Sequence, residues 1–356
     1  MSFIGRVAGA ILAIDRYPTE EDWIMATRSV SVRAGRPAAT TSPAAPLAVP
    51  AAVETTAAAP PAIDTPALTI GIVGAGRVGS ALGGALARAG HRITGASGRS
   101  DATRARIASL PGAVRRRPVD VVRNADLVIV AVPDDVLAPL IADLGESGAF
   151  RPGVIVAHTS GAHGIGILHP ATARGALPLA LHPAMTFTGA DADVDLLTSG
   201  ITFGVTAPDE LRAVAIDLVA ELGGAIEWID DSHRALYHTA LAHGANHLVT
   251  LVNEALDRLR DAGVIHPEQV LSPLLHAALD NALAMGDAAL TGPVSRGDAN
   301  TVARHLDTLD EYAPDSVPVY LELARRTADR AISAGRISPS AAAPLLGVLA
   351  RPPAER

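Results

Sequence analysis

The 356-residue chain contains no cysteine, and its 29 basic residues are all arginine. Without cysteine there is no disulfide, no zinc–thiolate site and no thiol nucleophile, and a reducing compartment, the cytoplasm, is expected. Without lysine, Schiff-base chemistry is excluded, as is any scheme that uses a lysine as general acid. Aromatic residues make up 3% of the chain, so its core must be built from Ala, Val and Leu. No apolar run reaches membrane-spanning length, and no membrane partner is expected. The net charge is −8 and dispersed, which argues against a nucleic-acid partner, since that needs a basic face.

The stretch Leu68 to His91 (LTIGIVGAGRVGSALGGALARAGH) supplies what the composition does not. A short apolar run meets a turn holding Gly74, Gly76 and Gly79, and an Ala/Leu-rich segment of helical spacing follows. Strand, G-x-G-x-x-G and helix in that order form the dinucleotide-binding fingerprint. Gly74 permits the tight turn, Gly76 a close approach to a pyrophosphate, and Gly79 close packing of helix on strand. Arg77 and Val78 open the helix, whose free N–H groups and dipole suit phosphates. The competing reading is a glycine-rich turn in an α/β protein that binds no nucleotide.

Residues 1–66 read as an arm outside the fold. Arg33–Ala67 is Ala/Pro/Thr-rich without a period and is expected to be disordered. Val7–Ile14 resembles a short signal h-region but lacks a cleavage site, and Met25 is an alternative start. From Leu68 strands and helices alternate: Arg92–Ser97, Leu127–Val132, Val154–Ala157 and Ala176–Leu181 as strands, with helices at Asp101–Leu110 and Asp134–Leu144. That alternation predicts an α/β domain, a Rossmann-type doubly wound parallel sheet, over residues 67–230. Runs at Ile201–Thr206 and Ala225–Ile229, around a helix at Asp209–Leu222, extend the sheet. Residues 231–350 read as an all-α second domain of five helices (Ser232–Ala262, His266–Met285, Ala299–Leu309, Ser316–Ala334, Ser338–Leu349). Ser338 is placed to cap the last helix, with Pro339 at its first position. By fold analogy this domain dimerises the chain and closes over a substrate; residues 351–356 form a tail.

An NAD enzyme usually carries an acid at the end of the second strand. This chain has Ser97-Gly98-Arg99-Ser100 there, two hydroxyls and a guanidinium suited to a 2′-phosphate. NADP(H) is therefore the expected cofactor, the alternative being a polar turn with a solvated arginine. Asp101 caps the next helix on either reading. Arg115-Arg116-Arg117 reads as a solvated turn.

Substrate chemistry is expected beyond the carboxyl ends of the strands. Val132 and Pro133, before Asp134, should border the nicotinamide ribose. His158, Ser160 and His182-Pro183 follow later strands. His238, Ala242 and Asn246 fall at i, i+4 and i+8 on the first helix of the second domain, which presents an imidazole and an amide. His243 and His247 have metal spacing, but no third ligand is evident and no metal is expected. In TGPVSRGD (Thr291–Asp298), Arg296 is placed to clamp a carboxylate and Asp298 to cap a helix. For each of these the structural alternative stands, including an Arg296–Asp298 pair.

The order glycine fingerprint, HTSG, HP, YHTALAHGAN, TGPVSRGD resembles a family of two-domain oxidoreductases with an NADP domain and an α-helical domain of unknown function, over about residues 68–350. The resemblance implies an NADPH-dependent reductase of a small 2-oxo acid, ketopantoate (2-dehydropantoate) foremost, in pantothenate synthesis. The architecture is also similar to pyrroline-5-carboxylate reductase and to the better-known ketopantoate reductase. In the latter a lysine is general acid and two asparagines follow at successive turns. Here His238 takes the lysine's place and Asn246 that of the later asparagine, while Ala242 departs from the pattern. The implied roles are proton donation by His238, or His182 in its stead, carbonyl orientation by Asn246 and Ser160, and carboxylate binding by Arg296. His158 would lie near the nicotinamide. Ser160 with His182-Pro183 also resembles the serine and His-Pro pair of prephenate and arogenate dehydrogenases, which keeps an oxidative alternative. A sensor that binds NADP(H) without turnover is the non-enzymatic one.

Overall fold

The computed structural model describes residues 67–351. The N-terminal arm over 1–66, with the expected disordered segment up to Pro66, the signal-like patch and the alternative start, lies outside the described residues, as do 352–356. The chain divides into two compact units between Ala240 and Leu241, beyond the boundary expected at 230/231.

The described part of the first unit runs β1 (Thr69–Val73), α1 (Arg77–Arg88), β2 (Arg92–Ser97), α2 (Asp101–Ser109), α3 (Pro118–Arg123), β3 (Leu127–Val130), α4 (Asp134–Glu146), β4 (Ile155–His158) and α5 (His169–Thr172). It continues through β5 (Leu177–Pro183), α6 (Ala192–Leu197), β6 (Thr202–Thr206), α7 (Arg212–Glu221), β7 (Ala225–Trp228) and the opening of α8 (Arg234–Leu241). The seven strands form one sheet in the order β2-β1-β3-β4-β5-β6-β7. Period-two alternation sends Ile70, Ile72, Leu127 and Ile129 to one face with Leu82 and Leu86 of α1. Val73, Val128, Val130 and Val156 go to the other, with Leu137 and Ile141 of α4. Both faces are therefore covered, which is why these strands read as continuous apolar runs.

The sheet is parallel from β2 to β5, but β6 pairs antiparallel with β5, Ala180 opposite Thr206 and Pro183 opposite Phe203. The two strands added at that edge thus run against the others, a departure from the parallel sheet expected. The connection over 184–201 does not cross back over the sheet. It lays α6 beside α1, where a Cβ on Gly84 would stand 3.2 Å from a Val194 methyl, so β6 starts from the end at which β5 finished.

The second unit contains a π-helical turn (Ala242–Asn246), α9 (His247–Asp261), α10 (Pro267–Met285), α11 (Gly292–Ser295), α12 (Ala299–Tyr312), α13 (Val317–Ser333) and α14 (Pro339–Leu349). Its core joins Val302 and Leu306 of α12, Leu321 and Ala328 of α13, and Leu345 and Leu349 of α14. Ser338 caps α14 as its sequence predicts, accepting from the Ala341 amide. Among the described residues no helix is long and apolar enough to cross a membrane.

Candidate active site

The strand order reverses between β1 and β3, and the crevice beyond their carboxyl ends is where open α/β sheets take ligands. The fingerprint glycines build its floor. Gly74 has φ +90°, and a Cβ there would strike the Ala131 carbonyl; a Cβ on Gly79 would strike the Gly74 carbonyl. A Cβ on Gly76 would meet nothing within 4 Å, so this position faces open space. The N-terminus of α1 has no side-chain cap and no acid in its first turn. Its N–H groups and dipole therefore face the crevice unneutralised. The turn is braced from β2: Ser97 Oγ accepts from the Gly74 amide at 3.2 Å and its carbonyl from the Ala75 amide at 2.8 Å.

The crevice encloses about 760 Å³ and is lined by Gly74, Gly76, Ser97, Gly98, Arg99, Val132 and Pro133, with Arg115, Arg116 and Arg117 on the far rim. No carboxylate is among the lining residues. Arg77 and Val78 are the first two residues of α1. Ser100 caps α2, accepting from the Thr103 amide at 3.1 Å. Arg115, Arg116 and Arg117 are exposed, as expected of a solvated segment, but the segment is a sheet-edge bridge and not a turn. Ala96 bridges Arg115 in a one-residue parallel ladder, closed by Ala96 N–H to Val114 O and Arg116 N–H to Ala96 O. This single bridge extends the sheet edge beyond β2 by one residue, too short to show a period. The position itself, between α2 and α3 of a doubly wound unit, was the available signal.

A second group of side chains assembles where β4 and β5 end. His158, the last residue of β4, is fully buried and its Nε2–H donates to the Gly164 carbonyl at 3.0 Å. Its Nδ1 is buried without a partner. Burial, aided by the Arg234 charge, holds the His158 pKa down to about 4. Ser160 Oγ accepts from the Ala162 and His163 amides, both at 3.2 Å, and so shapes the loop that follows.

His182 on β5 lies 2.9 Å from the Tyr237 hydroxyl through Nδ1. Burial, then the charge of Arg234, hold its pKa to about 4 as well. Burial raises the Tyr237 pKa, so the phenol stays protonated and can donate to Nδ1, which leaves the imidazole proton on Nε2. The His238 ring stands edge-on to His182, centroids 6.1 Å apart. Gly161 lies against both: a Cβ there would be 2.7 Å from His238 Cδ2 and 3.0 Å from His182 Nε2.

Arg234 anchors this group. It is 1% exposed and donates to the carbonyls of Ser160 (2.6 Å), Gly204 (3.0 Å) and His163 (3.1 Å). Arg234, Tyr237 and His238 fall at i, i+3 and i+4, one face of α8, and this buried anchor assigns the start of the helix to the first unit. Ser160, His182 and His238 are thus brought to one place, with His158 at its base. Arg234 and Tyr237 were not nominated from sequence. Their positions in the turn before His238 were the only signal, and an arginine is ordinarily expected at the surface.

Asn246 and Arg296 belong to the second unit. The regular helix expected over Ser232–Ala262 is interrupted by the π turn at Ala242–Asn246, which adds a residue to the turn. The i, i+4, i+8 spacing of His238, Ala242 and Asn246 therefore does not describe a regular α-helical face. Asn246, its last residue, is exposed. Arg296 is exposed at the end of α11. Asp298 caps α12, accepting from the Thr301 amide at 3.0 Å, instead of forming a direct ion pair with Arg296.

Two family models match the chain: a Rossmann-like domain over residues 53–183 and a domain of unknown function, DUF2520, over 201–327. Among solved structures the chain is similar to a candidate NADP oxidoreductase of Bacteroides fragilis, with 23% identity over 74% of this chain and 98% of that one, TM-score 0.61. It is also similar to a protein of Thermotoga maritima, with 20% identity over 75% and 100%, TM-score 0.55. An imine reductase from Myxococcus stipitatus in complex with NADP+ matches at 17% identity over 80% and 100%, TM-score 0.54. At these identities the likeness is one of fold. No curated protein matches the sequence.

Proposed function

We propose that this chain, which belongs to the two-domain proteins joining a Rossmann-like domain to a C-terminal DUF2520 domain, is an NADPH-dependent reductase of a small 2-oxo acid, ketopantoate foremost. The observation that carries the cofactor is the arginine-rimmed crevice without a carboxylate, set over an uncapped helix N-terminus. The residues present fit NADP(H). The amides of Gly76, Arg77, Val78 and Gly79 would hold the pyrophosphate, which Gly74 makes room for. Arg99, with Ser97 and Ser100, would face the 2′-phosphate, and Val132 and Pro133 would border the nicotinamide ribose, whereas His158, expected near the nicotinamide, is fully buried and does not line the crevice. The structural neighbours from Bacteroides and Myxococcus are described as NADP proteins, which supports this reading. Bound NADPH supplies the hydride.

The chain supplies the proton and the orientation. With its pKa at about 4, His182 is an imidazolium in only about one molecule per thousand at pH 7. Proton donation therefore falls to His238, which lies beside it across Gly161. His182, with its proton fixed on Nε2 by Tyr237, serves as a neutral hydrogen-bond donor to the carbonyl oxygen, and Ser160 orients the same carbonyl. The protein forms a homodimer through its helical domain: α10 spans 19 residues of which only Pro267 is buried, and Leu274 and Leu283 are 65% and 79% exposed. Apolar exposure on that scale marks an interface.

Fluorescence and absorbance of NADPH, followed while 2-oxo acids and cyclic imines are added one at a time, test the reading. Consumption with ketopantoate or a close 2-oxo acid is expected. Binding without consumption across both panels would replace the enzyme with a nucleotide sensor. Turnover of prephenate or arogenate with NADP+ would reverse the direction.

A further inference from the structure

The end of β2 offers a 2′-phosphate two hydroxyls but only one positive charge. A phosphate monoester carries up to about two negative charges at neutral pH, and neutralising it takes more than one cation. Ser97 Oγ accepts from the Gly74 amide and Ser100 Oγ from the Thr103 amide, so each hydroxyl keeps its own O–H to donate but brings no charge. Arg99 is then the single cation of the turn.

Across the turn stand the three arginines of the far rim, and the structure separates them. The one-residue bridge to Ala96 holds the Arg115 backbone beside the end of β2, and its guanidinium reaches over the turn to 3.5 Å from the Gly98 carbonyl. The stem of Arg116 lies flat on β2, its Cδ 3.0 Å from where a Cβ on Gly95 would be. Arg117 is held away by Asp120, Nε at 2.9 Å and the terminal nitrogen at 3.3 Å from its two oxygens. Arg115 therefore shares the turn with Arg99 and has no carboxylate partner within 4 Å among the described residues.

We propose that Arg115 is the second arm of a 2′-phosphate clamp whose first arm is Arg99, and that it sets the preference for the 2′-phosphorylated nucleotide. The proposal rests on reading the crevice as an NADP(H) site. The single bridge beyond β2 holds a second guanidinium at the crevice that Arg99 also lines, where two forked donors can share three phosphate oxygens.

Calorimetric titration of the full chain with 2′,5′-ADP and with 5′-ADP isolates the phosphate from the reaction. Arg115→Ala should weaken 2′,5′-ADP by about tenfold or more, the worth of a charged hydrogen bond, and leave 5′-ADP within about twofold. Arg117→Ala removes the same charge from the same rim and should change neither by more than about twofold. A thermal melt of Arg115→Ala that matches the parent separates a lost contact from a lost fold. Equal weakening of 2′,5′-ADP by both substitutions would overturn the clamp in favour of general rim charge. Tight 2′,5′-ADP binding that survives Arg115→Ala would overturn it too. A parent protein that binds neither nucleotide would instead overturn the NADP(H) reading, and the clamp with it.

Discussion

Gly161 is the position where a single methyl group should reach the chemistry without touching the cofactor turn. Its Cβ would stand 2.7 Å from His238 Cδ2, about 0.7 Å short of the 3.4 Å at which ordinary contact begins, and 3.0 Å from His182 Nε2. Gly161 is not among the glycines of positive φ, so alanine fits the backbone and the whole effect is steric. Both imidazoles must give way by several tenths of an ångström. Displacements approaching 1 Å at a reacting group can cost about 10²-fold, so Gly161→Ala should lower kcat by about 10- to 100-fold. Overpacking should also destabilise the fold by about 1–3 kcal/mol, visible separately in a urea melt. The glycines of the 74–79 turn are untouched, and NADPH affinity from a fluorescence titration should stay within about twofold. A Gly161→Ala enzyme with the parent's kcat would refute the placement of the site between His182 and His238. Equal losses in kcat and NADPH affinity would point instead to a general loss of structure.

Arg99→Ala should weaken NADPH binding by about tenfold or more, and affinity unchanged in a fluorescence titration would remove Arg99 from the 2′-phosphate. His158 and His182 have native pKa values of about 4 against the ordinary 6.5, so the unfolded chain binds more protons than the native one between those values. Stability is therefore fully present above pH 6.5 and is lost as pH falls towards 4, by up to about 1.4 kcal/mol per pH unit for each imidazole. Urea unfolding at pH 7, 6 and 5 reads this slope, and a flat profile contradicts the burial argument. Replacing both Leu274 and Leu283 of α10 with Asp should convert a dimer to monomers by sedimentation or light scattering; a parent already monomeric at micromolar concentration would rule the dimer out.

The core of the first unit was legible because its signals are local. Glycine spacing, an apolar run and a helical period lie within Leu68–His91, and burial on both faces leaves the strands continuously apolar. The direction of β6 was not legible, since an apolar run such as Thr202–Thr206 carries no polarity and its pairing depends on a connection that packs α6 on α1. The candidate site divides the same way. Ser160, His182 and His238 stand out as polar residues beside apolar runs. Arg234 does not, because its burial requires carbonyls from Ser160, His163 and Gly204 to converge on it, from 30 to 74 residues away. The π turn at Ala242–Asn246 contains a weak helix former, Gly244, but a single glycine inside a helical pattern does not specify an inserted residue. Arg115 acts from a strand of one residue, for which no periodicity exists.

The central claim is that NADPH bound over the glycine turn is consumed with a proton supplied at His238. It is tested most directly by recording NADPH absorbance after ketopantoate is added to the parent chain and to His238→Gln, with NADPH affinity measured on both. The account predicts consumption by the parent, a loss of about 10²- to 10⁴-fold in kcat for the variant, and the same NADPH affinity in each. Equal rates in the two proteins, under matched binding, would contradict it.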